Sequence, residues 1–175
     1  QVSKLELLGQ AFDDVRMFGE REATQWQVGL AGATLNGTAL VPRDFSSGTL
    51  HLNVDRLELR RPDEATDPAS GTSLDPRRVP ALAVAATTLV YNEIDFGAAE
   101  ITTVRHSDGL ELTQLKLRSD ALTLDANGRW DHNEGQQTSH FDIDVQSATL
   151  AGLLERFGYN VANIEQGETD IHIAA

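Results

Sequence analysis

The chain has 175 residues, with 14 Lys and Arg against 27 Asp and Glu, a formal net charge of −13 and no cysteine. A charge of this sign repels phosphate backbones and argues against nucleic acid as a partner. The lack of cysteine excludes disulfides and thiolate metal sites, and no apolar run approaches the roughly 20 residues of a transmembrane helix.

Alternation of apolar and polar residues with period two predicts β-strands in the first third of the chain. The predicted strands are 2–8, 12–18, 24–31, 33–41 and 48–59. Short turns rich in glycine and serine connect them, which favours an antiparallel meander with one dry and one wet face. Residues 61–80 hold four of the five prolines and many charges, and we interpret them as a mobile linker.

The same alternation continues after the linker. It predicts strands at 82–91, 94–105, 109–118, 121–131, 137–147 and 166–174. One helix is expected near 148–157, because Leu150, Leu153, Leu154 and Phe157 fall on one helical face. The predicted fold is therefore all-β, with about 11 strands and one short helix. A curved, twisted antiparallel sheet forming a groove and a sandwich-like meander both fit this pattern.

The chain also repeats itself. Leu5 and Phe12 return as Leu89 and Phe96, 84 residues later (89 − 5), and Asn36-Gly37 returns as Asn127-Gly128, 91 residues later (127 − 36). We expect two related β units, 1–60 and 81–175, flanking the linker. Both ends read as cuts through a longer protein, and the second unit is expected to continue beyond residue 175.

Two local patterns accompany the repeat. The apolar phase of the strands breaks between Val54 and Leu57 and again between Val145 and Ala148, which predicts a bulge or bend in both copies. The two Asn-Gly pairs are best interpreted as glycine bulges within strands.

No constellation of residues predicts catalysis. Asp142 and Asp144 stand on the wet phase of one strand, whereas a general acid–base pair needs one desolvated partner. Residues 125–131 resemble part of a calcium loop but have Gln136 where the bidentate Glu belongs. The histidines, His51, His106, His132, His140 and His172, lack metal-ligand spacing. We predict no enzyme, no metal site and no cofactor.

The remaining candidate for function is the apolar face itself. Thirteen apolar residues on the dry phase form a predicted lipid-facing stripe: Trp26, Val28, Leu50, Leu52, Val54, Leu110, Leu112, Leu122, Leu124, Trp130, Phe141, Ile143 and Val145. Alternation alone does not separate a closed sandwich core from an open groove, because both need an apolar inner face.

Several segments in order resemble a known family. They are the strand ending in Gly128-Arg129-Trp130, the run Leu153-Leu154-Glu155-Arg156-Phe157-Gly158-Tyr159, and Gly167-Glu168-Thr169. In this order they resemble the C-terminal part of the AsmA-like proteins of Gram-negative bacteria, in particular the YhdP branch. The likeness is good over 75–175 and looser over 1–60.

The resemblance implies a function without catalysis. Such proteins are anchored in the inner membrane by an N-terminal helix and cross the periplasm as a curled sheet whose apolar groove is thought to carry phospholipid to the outer membrane. The implied partners are phospholipid acyl chains, the rest of the same polypeptide at both ends, and envelope proteins. Pairing of a free sheet edge with a second copy is a further expectation. The first alternative is a scaffolding β domain that binds proteins but no lipid. A weaker one is a carbohydrate-binding or hydrolytic β-sandwich.

Overall fold

A computed structural model of the protein describes residues 4–7, 10–60, 75–133, 135–147 and 169–174. Twelve strands form in these ranges: β1 Lys4–Leu7, β2 Gln10–Asp13, β3 Arg16–Arg21, β4 Gln25–Ala31, β5 Leu35–Pro42, β6 Thr49–Leu59, β7 Ala81–Tyr91, β8 Ile94–Arg105, β9 Gly109–Arg118, β10 Leu122–Asn133, β11 Gln136–Ser147 and β12 Thr169–Ala174. The all-β prediction is confirmed, and most strand bounds agree with the alternation pattern within a few residues.

Ten of the strands form one sheet. Its order follows the chain from β3 to β12, and β1 and β2 form a separate two-stranded sheet. Every neighbouring pair is antiparallel except β6 and β7, which run parallel with Thr49 beside Ala81 and Leu59 beside Tyr91. This pair departs from the expected antiparallel meander. The connection from residue 60 to residue 80 is long enough to return the chain to the start of β6, as a parallel crossover requires.

The described end of that connection is a short 3-10 turn over Pro76–Arg78. The Asp75 carboxylate caps it by accepting a hydrogen bond from the Arg77 backbone N–H, and Pro76 and Val79 are buried. Residues 61–74 and the predicted helix at 148–157 lie outside the described residues. The division into units 1–60 and 81–175 stays a prediction.

The core lies on one face of the large sheet and extends from β4 to β10. The small sheet joins it through Phe12, and Val15 and Leu35 beside it are fully buried. The Gln10 side-chain carbonyl accepts a hydrogen bond from the Arg60 backbone N–H, which ties the small sheet to the end of β6. The buried cluster consists of Phe12, Val15, Leu30, Leu35, Ala39, Leu52, Val54, Leu57, Ala86, Leu89, Phe96, Ala99, Leu117 and Leu122.

Each Asn-Gly pair coincides with a register shift, but the extra residue lies in the facing strand and not, as predicted, in the strand that contains the glycine. The β5–β6 register shifts between Asn36 and Gly37, where Asp55 is the extra residue, and the β9–β10 register shifts between Ala126 and Gly128. The first shift explains the phase break after Val54, because the bulge returns Leu57 to the buried face. The matching break after Val145 reaches residues outside the described ranges. A left-handed Asp14 (φ 54°) separates β2 from β3, which were predicted as one strand at 12–18.

Candidate functional site: the apolar face

The sheet has two faces of opposite chemistry. We call the face that carries Leu52 and Val54 the apolar face, and the face that carries His51 and Asn53 the polar face. Residues opposite one another in neighbouring strands share a face, so the strand registers can be followed across the sheet.

One row on the apolar face crosses eight strands without a polar residue. From β4 to β11 it comprises Val28, Ala39, Leu52, Val84, Ile101, Leu115, Ala126 and Ile143. The register partner of Ile143 on β12 is Ile173. The row passes through the parallel pair without a break, because Leu52 stands directly beside Val84.

A second row lies beside the first and reaches the edge strand β3. From β3 to β11 it comprises Met17, Leu30, Gly37, Val54, Ala86, Ala99, Leu117, Leu124 and Val145. Its partner on β12 is Ile171, so the register spans all ten strands. With a strand spacing of about 4.8 Å, ten strands extend the row over about 43 Å.

The polar face lacks such continuity. The row on it between these two comprises Gly29, Thr38, Asn53, Ala85, Glu100, Lys116, Asp125 and Asp144. A shallow open depression of about 700 Å³ lies on this face, with Gln27, Thr38, His51 and Gln114 among its lining residues. Glu100 also lines it, so an apolar chain placed there would desolvate a carboxylate and several amides.

The registers and bulges place all thirteen residues of the predicted stripe on the apolar face. Leu50, Leu52, Val54 and Leu122 are buried, whereas Trp26 is 43% exposed. The other eight are half-buried. Their exposure to lipid stays a prediction, but their common face is observed.

The stripe falls into two parts. Leu52, Val54 and Leu122 belong to the buried cluster, and Val28, Leu124 and Val145 pack against it. We call the six stripe residues outside this packing, apart from buried Leu50, the outer strip: Trp26, Leu110, Leu112, Trp130, Phe141 and Ile143. Because they are half-buried or exposed, these six can contact a further apolar group without the core being opened.

Sequence reasoning overlooked the small residues of the rows. Ala39, Ala86 and Ala99 fill positions between larger side chains, and alanine is too common on either face to stand out. Val84 was missed because β7 begins Ala-Leu-Ala-Val-Ala-Ala and shows no strict alternation. Counting register outward from the two Asn-Gly pairs would have identified these positions.

Charged groups border the outer strip where the 3-10 turn meets β9 and β10. Asp75 forms an ion pair with Arg77 (2.7 Å), and its other carboxylate oxygen lies 3.7 Å from His132 Nδ1. The hydrogen bonds from Arg77 lower the pKa of Asp75 to about 2. This carboxylate is therefore ionised at neutral pH and is already paired, which suits an anchor for the turn.

The described residues hold no group of three or more His, Asp or Glu placed to bind a metal ion. Carboxylates in this part of the chain form ion pairs with arginine and histidine, as Asp108 does with Arg129 and Glu111 with His106. The chemical property that distinguishes the apolar face is a continuous surface of apolar side chains.

The family comparison agrees with this geometry. The family described as YhdP protein matches residues 1–174, almost the whole chain. The chain belongs to the YhdP family. This is a family of bacterial envelope proteins associated with transport rather than catalysis, as the AsmA-like resemblance of the sequence implies. Neither a curated protein nor a solved structure matches the chain.

Within the described part of this chain, no helix has both the length and the apolar character needed to cross a bilayer.

Proposed function

We propose that this YhdP-family chain is a segment of a hydrophobic groove that carries phospholipid through the periplasm between the inner and outer membranes. The single observation that carries the proposal is the pair of uninterrupted apolar rows across the sheet. A closed core needs apolar residues only where its layers meet, whereas a conduit needs them from one edge of the sheet to the other.

The physical basis is the cost of wetting acyl chains. Each CH₂ exposed to water costs about 0.8 kcal/mol, so an acyl chain that lies against the accessible part of the apolar face avoids part of that cost. The headgroup stays in water at the open margin of the groove. Because several apolar side chains share the contact, no single residue is essential and the lipid can slide.

The outer strip is the proposed contact region. Trp26 on β4 and Phe141 and Ile143 on β11 lie near opposite edges of the sheet, with Leu110 and Leu112 on β9 between them. They are accessible, unlike Leu52 and Val54. The excess of acidic residues keeps the molecule off anionic membrane surfaces except at such apolar contacts.

The proposed surroundings follow from the function. The chain works in the periplasm as part of a protein anchored in the inner membrane, joined at both ends to the rest of its polypeptide. Outer-membrane or periplasmic proteins are proposed as further partners.

The decisive experiment compares adjacent positions on opposite faces of β11. A photo-crosslinking residue is placed at Ile143 on the apolar face or at Asp142 on the polar face, and the chain is irradiated in cells and examined by mass spectrometry. We expect phospholipid adducts at position 143 and few or none at position 142. Position 141 on the apolar face and position 140 on the polar face provide a second matched pair.

The alternative functions give different results. A scaffold that binds proteins but no lipid would give protein adducts and no lipid adducts at either face. Equal lipid capture at both faces would indicate non-specific adsorption and would overturn the conduit. Solvent extraction of the purified chain provides an independent count of bound phospholipid.

A further inference from the structure

The two ends of the apolar face differ in accessibility. At the end where β6 and β7 finish, the small sheet packs against the core, and Phe12, Val15, Leu35 and Leu57 are buried. We call the opposite end, where β6 and β7 begin, the open margin. Four outer-strip residues, all exposed or half-buried, lie toward the open margin: Trp26, Leu110, Leu112 and Trp130. The headgroup of a lipid on the outer strip therefore meets water most directly there.

Arg105 stands on the apolar face at the open margin. Its register partner on β9 is Leu110, which is in turn the partner of Trp130 on β10, so the three form one short row. Residues opposite one another share a face, and both neighbours of Arg105 in this row belong to the outer strip. Arg105 is itself half-buried. A guanidinium beside apolar side chains is normally paired with an anion, because its charge is costly to desolvate.

The described residues do not supply that anion. Arg105 forms one hydrogen bond there, from Nη1 to the backbone carbonyl of Phe45 (3.2 Å). The ion pairs of the described residues use other arginines: Arg56, Arg60, Arg77, Arg118 and Arg129. Within this part of the chain, Nε and Nη2 of Arg105 therefore have donors to spare, and the Phe45 carbonyl fixes the orientation of the planar group.

The carboxylates around the open margin are engaged elsewhere. Asp44 attracts Arg105 electrostatically, but its hydrogen bonds come from the Ser46 backbone N–H (2.8 Å) and from the hydroxyls of Ser46 and Ser47. Four more carboxylates at this margin form ion pairs with other residues: Asp75 with Arg77, Glu111 with His106, and Asp108 and Asp131 with Arg129. Arg105 thus presents an unneutralised cation next to the outer strip, in a chain with a net charge of −13.

We propose that Arg105 binds the phosphate group of a phospholipid whose acyl chains lie on the outer strip. This inference rests on the proposed function and adds a headgroup contact to it. The planar fork of a guanidinium donates two parallel hydrogen bonds to phosphate oxygens, which makes arginine well suited to this ligand. The recognised chemistry is the phosphodiester, so the group attached beyond the phosphate does not determine binding.

Two lipids with identical acyl chains separate phosphate recognition from acyl-chain binding. Dioctanoylphosphatidylglycerol carries a phosphodiester, and dioctanoylglycerol does not. Each is titrated into the chain and followed by tryptophan fluorescence, because the two tryptophans of the protein, Trp26 and Trp130, both belong to the outer strip. We expect the phospholipid to bind about tenfold more tightly, as a hydrogen-bonded charge pair provides.

Substitution of Arg105 should remove that difference. R105Q is expected to raise the phospholipid Kd about fivefold or more and to leave the dioctanoylglycerol Kd unchanged. R105K keeps the charge without the fork, so its phospholipid Kd should fall between those of R105Q and the parent chain. R16Q is the matched control, because Arg16 is exposed on the polar face and its loss changes the net charge equally. Circular dichroism verifies that each variant is folded, and R105K serves as the test if R105Q is not.

Inorganic phosphate identifies the source of the recognised group. Added at the same concentration as the phospholipid, it should not displace it, because it gains no acyl-chain contact. Displacement would assign the site to free phosphate and overturn the headgroup contact.

The remaining outcomes separate the two proposals. Equal affinity of the parent chain for both lipids would overturn the headgroup contact and leave the conduit intact, as would an effect of R16Q as large as that of R105Q. Failure of both lipids to bind would overturn the conduit and the headgroup contact together.

Discussion

At the scale of single residues, Asp75 stabilises the 3-10 turn at the end of the crossover. Its carboxylate accepts hydrogen bonds from the Arg77 backbone N–H (3.0 Å) and from the Arg77 guanidinium (2.7 Å). The turn that follows buries Pro76 and Val79 and lies against β9 and β10. Asp75 therefore stabilises the turn that leads into β7.

The Asp75 carboxyl should titrate abnormally. Its pKa is lowered from 3.8 to about 2, first because the Arg77 side chain donates hydrogen bonds to it. A depressed folded-state pKa contributes stability that is complete above about pH 4 and is lost as pH falls toward 2. We expect a carboxyl ¹³C NMR titration to place the Asp75 midpoint near 2. In Arg77→Gln the midpoint should rise toward 3.8, and a midpoint near 3.8 in the parent chain would contradict the ion pair.

Gly37 is the residue on which the first bulge depends. It has φ +148°, and a Cβ atom there would collide with the Asn53 carbonyl and Val54 Cα of β6. We expect Gly37→Ala to lower the free energy of unfolding by about 1–3 kcal/mol in urea denaturation.

Gly135 provides the matched control for that substitution. It has φ +82°, but a Cβ atom there would meet no other atom within 4 Å. Gly135→Ala should therefore lower the free energy of unfolding only through backbone strain, by about 1 kcal/mol. Equal losses in the two variants would show that the close approach of β5 to β6 does not matter.

At the scale of elements, alternation predicted the strands well because most of them have one dry and one wet face. Leu50, Leu52 and Val54 with exposed His51 and Asn53 form the clearest case. Prediction was poorer where the local signal is ambiguous. β7 has nearly uniform small apolar residues, and Asp14 breaks a strand without a glycine or proline to mark it.

The alternation of apolar and polar residues could not predict that β6 and β7 pair in parallel. Strand direction depends on where a connection ends, and residues 60–80 contain no periodic signal that gives their path. The face of each stripe residue could be predicted from parity, because a parallel and an antiparallel neighbour both preserve it. The difference between buried Leu52 and half-buried Leu112 could not be predicted, since it depends on which side chains from elsewhere in the fold pack over each position.

A charge within the stripe should impair function more than loss of a side chain. Ile143→Ala keeps the row apolar, whereas Ile143→Asp introduces a carboxylate that an acyl chain would have to desolvate. We expect Ile143→Ala to retain most of the bound phospholipid counted after solvent extraction and Ile143→Asp to lose most of it.

His140→Asp adds a charge to the polar face of the same strand and is the control for that comparison. Its lipid content should equal that of the parent chain. If both aspartate variants lost lipid equally, net charge rather than the apolar row would be responsible.

At the scale of the whole molecule, the two sequence repeats share one sheet. β6 and β7 face each other through ten registered residue pairs, from Thr49 with Ala81 to Leu59 with Tyr91. The buried cluster contains residues from both sides of the connection, including Phe12 and Val15 before it and Phe96 and Leu117 after it. An apolar surface of this length therefore requires the two repeats to form one continuous sheet through the β6–β7 pair. Two separate domains would not provide it.

This joining predicts the behaviour of a cut chain. A protease site introduced at residues 65–66 would separate residues 1–65 from 66–175 covalently, but β6 and β7 would still be paired and the cluster still shared. We expect the two pieces to elute together in gel filtration under native conditions and to separate only in denaturant. Leu52→Arg places an unpaired charge in the cluster beside Val84 and should release the pieces in native buffer. Pieces that separate without that substitution would show that the parallel pair is too weak to join the repeats, and the continuous rows would then need another segment to hold them in register.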